Sequence, residues 1–112
     1  MTIQEVLTAT GLPVRYSHFT TPQEPPFIVY LGDGQTHAAA DNGYILKRNN
    51  YQVEYYFTKK DEEAEDAIET ALEQGGFLFD KSADAYISEE NVFVIYYTAY
   101  SYFEATPDPG SE

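Results

Sequence analysis

The chain has 112 residues, 43 % of them hydrophobic, enough for one domain with a sizeable core and too few for two. It has no cysteine, which excludes a disulfide framework and a thiolate metal site. Its net charge of −13, nineteen acids against six bases, disfavours a grip on nucleic-acid backbones, which needs clustered Lys and Arg.

Residues 2–10 read as a short helix. Thr2 can cap it, Glu5 stands three residues on as a capping-box partner, and Gly11 ends it. Ile3, Val6 and Leu7 share one face. Pro13 redirects the chain, and residues 14–19 alternate enough for a short strand. Three prolines make residues 20–26 a rigid connection, with Pro25-Pro26 at the mouth of a strand over residues 27–31. Residues 32–42, GDGQTHAAADN, have no bulky apolar side chain and read as a mobile surface loop. A short strand over 43–47 and a turn at Asn49-Asn50 then make a hairpin into Tyr51.

Residues 51–58 alternate cleanly. Tyr51, Val53, Tyr55 and Phe57 fall on one face, and Gln52, Glu54, Tyr56 and Thr58 on the other, as in a half-buried antiparallel strand. Thr58 and Asp61 have capping-box spacing, and Asp61, Glu62 and Glu63 suit the positive end of a helix. Ala64, Ala67, Ile68, Ala71 and Leu72 form a narrow apolar stripe, and Gly75-Gly76 supplies the stop. Short apolar segments follow at 77–79 and 85–87, with a polar turn at 88–91. Residues 92–103, VFVIYYTAYSYF, are the longest strand candidate. Both faces are largely apolar, which predicts a central strand covered on two sides. At about 3.3 Å per residue it reaches roughly 40 Å, so its end is expected to protrude and pair with a neighbour. Residues 105–112 hold two prolines and no bulky apolar group, and read as a flexible tail.

The expectation is therefore an α+β fold: a mostly antiparallel sheet packed against one main amphipathic helix, plus a short N-terminal helix. One domain spans residues 1–104, with a mobile loop at 32–43 and a tail at 105–112. The N-terminus lacks a basic region followed by an apolar run, so no signal peptide is expected. No apolar run approaches the roughly 18 residues of a membrane span.

Chemistry is not advertised. His18 and His37 match no ligand spacing, although His37 lies near Asp33 and Asp41, and loop acids with a lone His ordinarily face solvent. No nucleophile elbow, phosphate loop or nucleotide fingerprint is present. No catalytic residue, metal or cofactor is expected, and a small hydrolase or isomerase would need a pocket that the sequence does not announce. The acids at 61–66 either mimic phosphates or simply solvate a helix N-terminus. Eleven tyrosines and no tryptophan suit protein interfaces, and equally suit half-buried strands.

The order of segments resembles the tail terminator (tail completion, head–tail joining) proteins of siphophages and prophages of Gram-positive bacteria. The residues that carry the likeness begin with a short helix and Gly11-Leu12-Pro13-Val14. Pro25-Pro26-Phe27-Ile28-Val29-Tyr30 follow, then a small-residue loop. Next come Tyr51-Gln52-Val53-Glu54-Tyr55-Tyr56, Lys60-Asp61 and an acidic helix, and last Tyr86-Ile87-Ser88-Glu89-Glu90 before the long aromatic strand. The likeness covers residues 1–103 by order and length, without an invariant signature. It implies a virion protein of the phage neck, assembled in the host cytoplasm. Copies form a ring, a hexamer in such proteins, that caps the tail tube, ends its polymerisation and helps join tail to head. The implied partners are the chain itself, the major tail tube protein and a head-completion or connector protein. DNA passes through the ring without specific binding, and no membrane is involved. On this reading Asp33, Gln35, His37 and Asp41 lie at a subunit interface or toward the lumen, and Tyr96, Tyr100 and Tyr102 are core or interface residues. The rival reading is an acidic, DNA-mimic-like regulatory protein that inhibits a nucleic-acid enzyme.

Overall fold

A computed structural model describes residues 1–39 and 45–105. The order of elements is α1 (Ile3–Thr8), β1 (Val14–Tyr16), β2 (Phe27–Ala39), β3 (Ile45–Phe57), α2 (Glu62–Gln74), β4 (Leu78–Lys81), β5 (Ala85–Ile87) and β6 (Val92–Ala105). The fold is α+β, with a six-stranded, mostly antiparallel sheet and two helices. The strands are ordered β1-β2-β3-β6-β4, and β5 pairs with β6 beside β4. The pairing of β1 with β2 is parallel.

The helices start where their caps dictate. Thr2 and Glu5 form the reciprocal capping box of α1. At α2 the cap is Asp61 rather than Thr58: its carboxylate accepts from the amides of Glu63 and Ala64 at 3.1 and 3.2 Å. Gly76 takes the left-handed conformation that closes α2. Gly75 is needed for a different reason, because a Cβ there would collide with the Val6 side chain of α1.

The core lies on one face of the sheet. Ile3, Val6 and Leu7 of α1 and Ile68 and Leu72 of α2 join Ile28, Val53, Tyr55, Phe57, Ile95, Tyr97 and Ala99 of the strands. The alternation read for residues 51–57 is correct, with Val53, Tyr55 and Phe57 buried. The apolar stripe of α2 is displaced: Ala67 is exposed, and Glu65 takes a buried place beside Ile68 and Leu72.

Three expectations are overturned, each by the same physical fact. A strand with partners on its flanks needs no bulky side chains of its own, since the ladder satisfies its backbone. Residues 32–39, read as loop, continue β2, and 35–39 pair with Asn49 through Ile45. Asn49-Asn50 is no turn; β3 runs straight through it. Ala105, read as the start of the tail, is the last residue of β6 and pairs with Ile45. The remainder of the loop reading, residues 40–43, and of the tail, 106–112, lies outside the described residues. Ile95, Tyr97 and Ala99 of β6 join the core cluster on one face, and Val92 and Val94 are buried on the other.

Candidate assembly surface

The sheet extends well past its core. Core residues stop at the row of Tyr51 and Ala99, while β2, β3 and β6 continue as residues 35–39, 45–50 and 100–105. This three-stranded arm helps make the molecule 55 Å long against 26 and 23 Å across. It contributes no residue to the core cluster, and Asn50 is its one buried side chain among the described residues.

Asn50 fixes the base of the arm. Asp33 and Gly34 stand opposite it as a β-bulge, and Gly34 takes a φ of +81°, open to glycine at little cost. The Asn50 amide donates to the Gly34 carbonyl and to Thr36 Oγ1, both at 3.3 Å, and its Oδ1 accepts from Arg48 Nε. The bulge shifts the register, so Gln35 and His37 align with Asn49 and Lys47 on the helix side of the sheet.

The residues singled out from sequence divide accordingly. Asp33, Gln35 and His37 are all exposed on β2. Gln35 Nε2 donates to Asn49 Oδ1 at 2.6 Å, and His37 Nε2 lies 2.6 Å from Gln35 Oε1. Asp41 lies outside the described residues. Tyr96, Tyr100 and Tyr102 share the face of β6 turned away from the helices. Tyr96 and Tyr100 are half-buried and Tyr102 is 51 % exposed. Tyr100 and Tyr102 meet edge to face at 5.9 Å, and the Arg48 guanidinium sits 3.9 Å over the Tyr100 ring. On the opposite face Phe103 is 38 % exposed, with Lys47 Nζ 5.9 Å from its ring centre.

Both long margins of the arm lack a strand neighbour among the described residues. β1 reaches only Tyr30 on β2, and β4 reaches only Tyr100 on β6. The sequence marked Tyr102 as protruding but missed Asn50, Arg48 and Phe103. For Asn50 and Arg48 the signal was the alternation of residues 51–57 carried back along β3, which the supposed turn at Asn49-Asn50 concealed.

A second polar feature sits at the other end. Glu65 is 2 % exposed, with Lys60 Nζ 2.7 Å from Oε2 and Lys81 Nζ 2.9 Å from Oε1. The contact to Lys60 is an ion pair whose alignment falls short of a hydrogen bond. Lys81 also reaches Glu69 at 2.8 Å, Lys60 reaches Asp84, and Tyr97 donates to Glu69 at 2.9 Å. Burial pushes the Glu65 carboxyl up, but the two ammonium groups outweigh it and hold it below its ordinary value. Burial pushes the Lys81 ammonium down, and its bonds to Glu69 and Glu65 reverse that and raise it. The Tyr97 hydroxyl is raised by burial and by Glu69. With Glu65 lowered and Lys81 and Tyr97 raised, these three keep their charge state through neutral pH, and the cluster ties α2 to β4.

Open grooves among the described residues include one of about 460 Å³ between α1 and α2, one of about 400 Å³ beside Phe57, Lys60 and Asp61, and one of about 300 Å³ beside Phe19, Phe27 and Tyr56. Among the described residues no three His, Asp or Glu side chains are placed to hold a metal ion, and no helix is long and apolar enough to cross a membrane. No family model matches the sequence, and a search of curated proteins finds no match.

Proposed function

We propose that this chain is a structural protein of a phage neck, a tail terminator whose copies form a ring on the end of the tail tube. The ring, a hexamer on the sequence resemblance, stops tube polymerisation, contacts the tail tube protein on one side and offers the other to a head-completion protein. On this reading α2 is the main helix backing the sheet and the virion is the site of action. The chain works by shape and pairing, without catalysis.

The observation that carries the reading is the arm. Three strands extend beyond the core, with aromatic side chains half wet and, among the described residues, no strand neighbour on either margin. Such an element can gain burial and backbone partners from another chain. Contacts of unlike surfaces close rings when the rotation permits. The acidic charge fits a lumen through which DNA passes without being held.

The test is deletion of the gene from the parent phage, followed by electron microscopy. Unjoined heads and tails of abnormal length are expected; normal joined virions overturn the proposal. Inhibition of a nucleic-acid enzyme by the purified chain, with virions intact, would favour the DNA-mimic reading instead.

A further inference from the structure

We propose that the free chain associates with a second copy of itself as an inverted dimer, pairing residues 101–105 of β6 antiparallel to the same residues of the other copy, with Phe103 on the two-fold axis. This goes beyond the ring reading, which concerns the assembled tail, and the two can fail separately.

The direction of the backbone groups comes first. Ser82 N donates to Tyr96 O, and Tyr96 N donates to Ser82 Oγ, so Tyr96 turns its amide and carbonyl away from β3. The pairing of β3 with β6 runs from Phe57↔Phe93 to Ile45↔Ala105 without a bulge. Alternation therefore turns the amides and carbonyls of Tyr102 and Glu104 outward as well, beyond the last residue of β6 that β4 covers. In an inverted pair, Tyr102 of each copy exchanges two backbone hydrogen bonds with Glu104 of the other. Phe103 then faces Phe103 as the close, non-hydrogen-bonded pair.

The other margin is less fit for this. The bulge at Asp33 and Gly34 interrupts the β2 edge at the base of the arm, whereas β6 runs from Phe93 to Ala105 against β3 without a bulge or proline. The inverted orientation follows from the width of the sheet. β4 stands outside β6, and β1 outside β2, just below the arm. A neighbour lying in the same direction meets those strands before it reaches the arm. An inverted neighbour brings only its own arm alongside.

Charge favours the same arrangement. Among the described residues, the arm with its bulge carries Lys47 and Arg48 against Asp33 and Glu104, and the rest carries fourteen acids against four bases. Inverted pairing joins these least acidic strands and sends the acidic bodies to opposite ends of molecules 55 Å long, far beyond a screening length of about 8 Å. It also sets Arg48, beside Tyr102, on the same face as Glu104 of the second copy.

Five residues a side make a small interface, so a dissociation constant of roughly 0.1 mM is expected. The decisive experiment uses Phe103→Cys, which gives the cysteine-free chain a single thiol on the axis. The Cα separation of a non-hydrogen-bonded pair, about 4.5 Å, is within disulfide range. Under mild oxidation Phe103→Cys is expected to form a covalent dimer at least ten times faster than Asp33→Cys or Tyr16→Cys, which are also exposed. Equal rates overturn the proposal. Light scattering on the unaltered chain should show the mass rising toward twice the monomer with concentration, and Phe103→Asp should abolish the rise while the circular dichroism stays unchanged. A monomer up to about 1 mM, or a dimer that survives Phe103→Asp, overturns it too. A hexamer at every concentration also overturns it, while favouring the ring.

Discussion

Strands β2, β3 and β6 each pass through two environments, and the contrast separates what folds the chain from what it offers to others. In the body, Val53, Tyr55, Phe57, Ile95 and Tyr97 belong to the core cluster, each at most 2 % exposed. In the arm, the same three strands carry Gln35, His37, Lys47, Arg48, Tyr102 and Phe103, and the helices do not reach them. The backbone ladder runs through both, without a break between β3 and β6 and with one bulge between β2 and β3. Hydrogen bonding therefore maintains the arm's shape, while burial in the body supplies the stability. A region that is ordered without being a source of stability is what assembly can use, since occupying it costs the fold nothing.

Substitutions along the molecule should grade accordingly. The largest effect is expected at Ile68, fully buried in α2. Ile68→Asp places an unpaired charge in the core and should cost about 4 kcal/mol or more in urea unfolding. A smaller loss would mean that α2 contributes little to the body.

Glu65→Gln comes next. It leaves Lys60 and Lys81 facing a neutral side chain at a buried position. A fully buried pair broken in this way costs roughly 3–5 kcal/mol; here about 2 is expected, because the lysine side chains are 44 % and 34 % exposed. The cost should depend on pH. The folded Glu65 carboxyl is held below its unfolded value of about 4.3, so its contribution is present above that value and is lost as the pH falls through the depressed one. The Lys81 ammonium is raised, so its contribution persists until the pH rises above about 10.4. The difference in stability between the unaltered chain and Glu65→Gln should be full at pH 7 and shrink below about pH 4. A difference independent of pH over that range would show that the charge of Glu65 is not what matters.

Asn50→Ala tests the border between the two regions. It removes the donor to Gly34 and Thr36 and leaves the bulge carbonyl without its partner, at an expected cost of about 1–2 kcal/mol. The same change should loosen the arm selectively, read as faster amide exchange at residues 35–38 with none at residues 53–56.

How much of this the sequence disclosed depends on what carried the information. The body was legible because burial writes a period into the side chains: Tyr51, Val53, Tyr55 and Phe57 alternate, and Ile68 and Leu72 repeat at helical spacing. Thr2 and Glu5 gave the cap of α1 in the same direct way. The arm was illegible at GDGQTH, because a ladder between long strands leaves no trace in side chains that stay wet. Its one sequence signal, the length of the final strand, was read as protrusion, yet the partners running alongside it were missed. Glu65 escaped for the opposite reason. Its burial depends on Lys60 and Lys81 converging from two separate segments, which no local pattern announces.

The smallest effect is expected at Phe103, and it bears most directly on the contrast. Phe103→Ser removes an aromatic ring from the arm, where no core residue packs against it, and should change monomer stability by less than about 0.5 kcal/mol. Phe57 pairs with the other end of the same strand, and Phe57→Ser should cost several times more. Urea titrations at low micromolar concentration, where copies stay apart, compare the two directly. If Phe103→Ser destabilised the monomer as much as Phe57→Ser, the arm would be part of the folding unit and its surface would not be free for another chain. If the two differ as expected, the aromatic ring at position 103 contributes little to folding, and its surface is free for another chain.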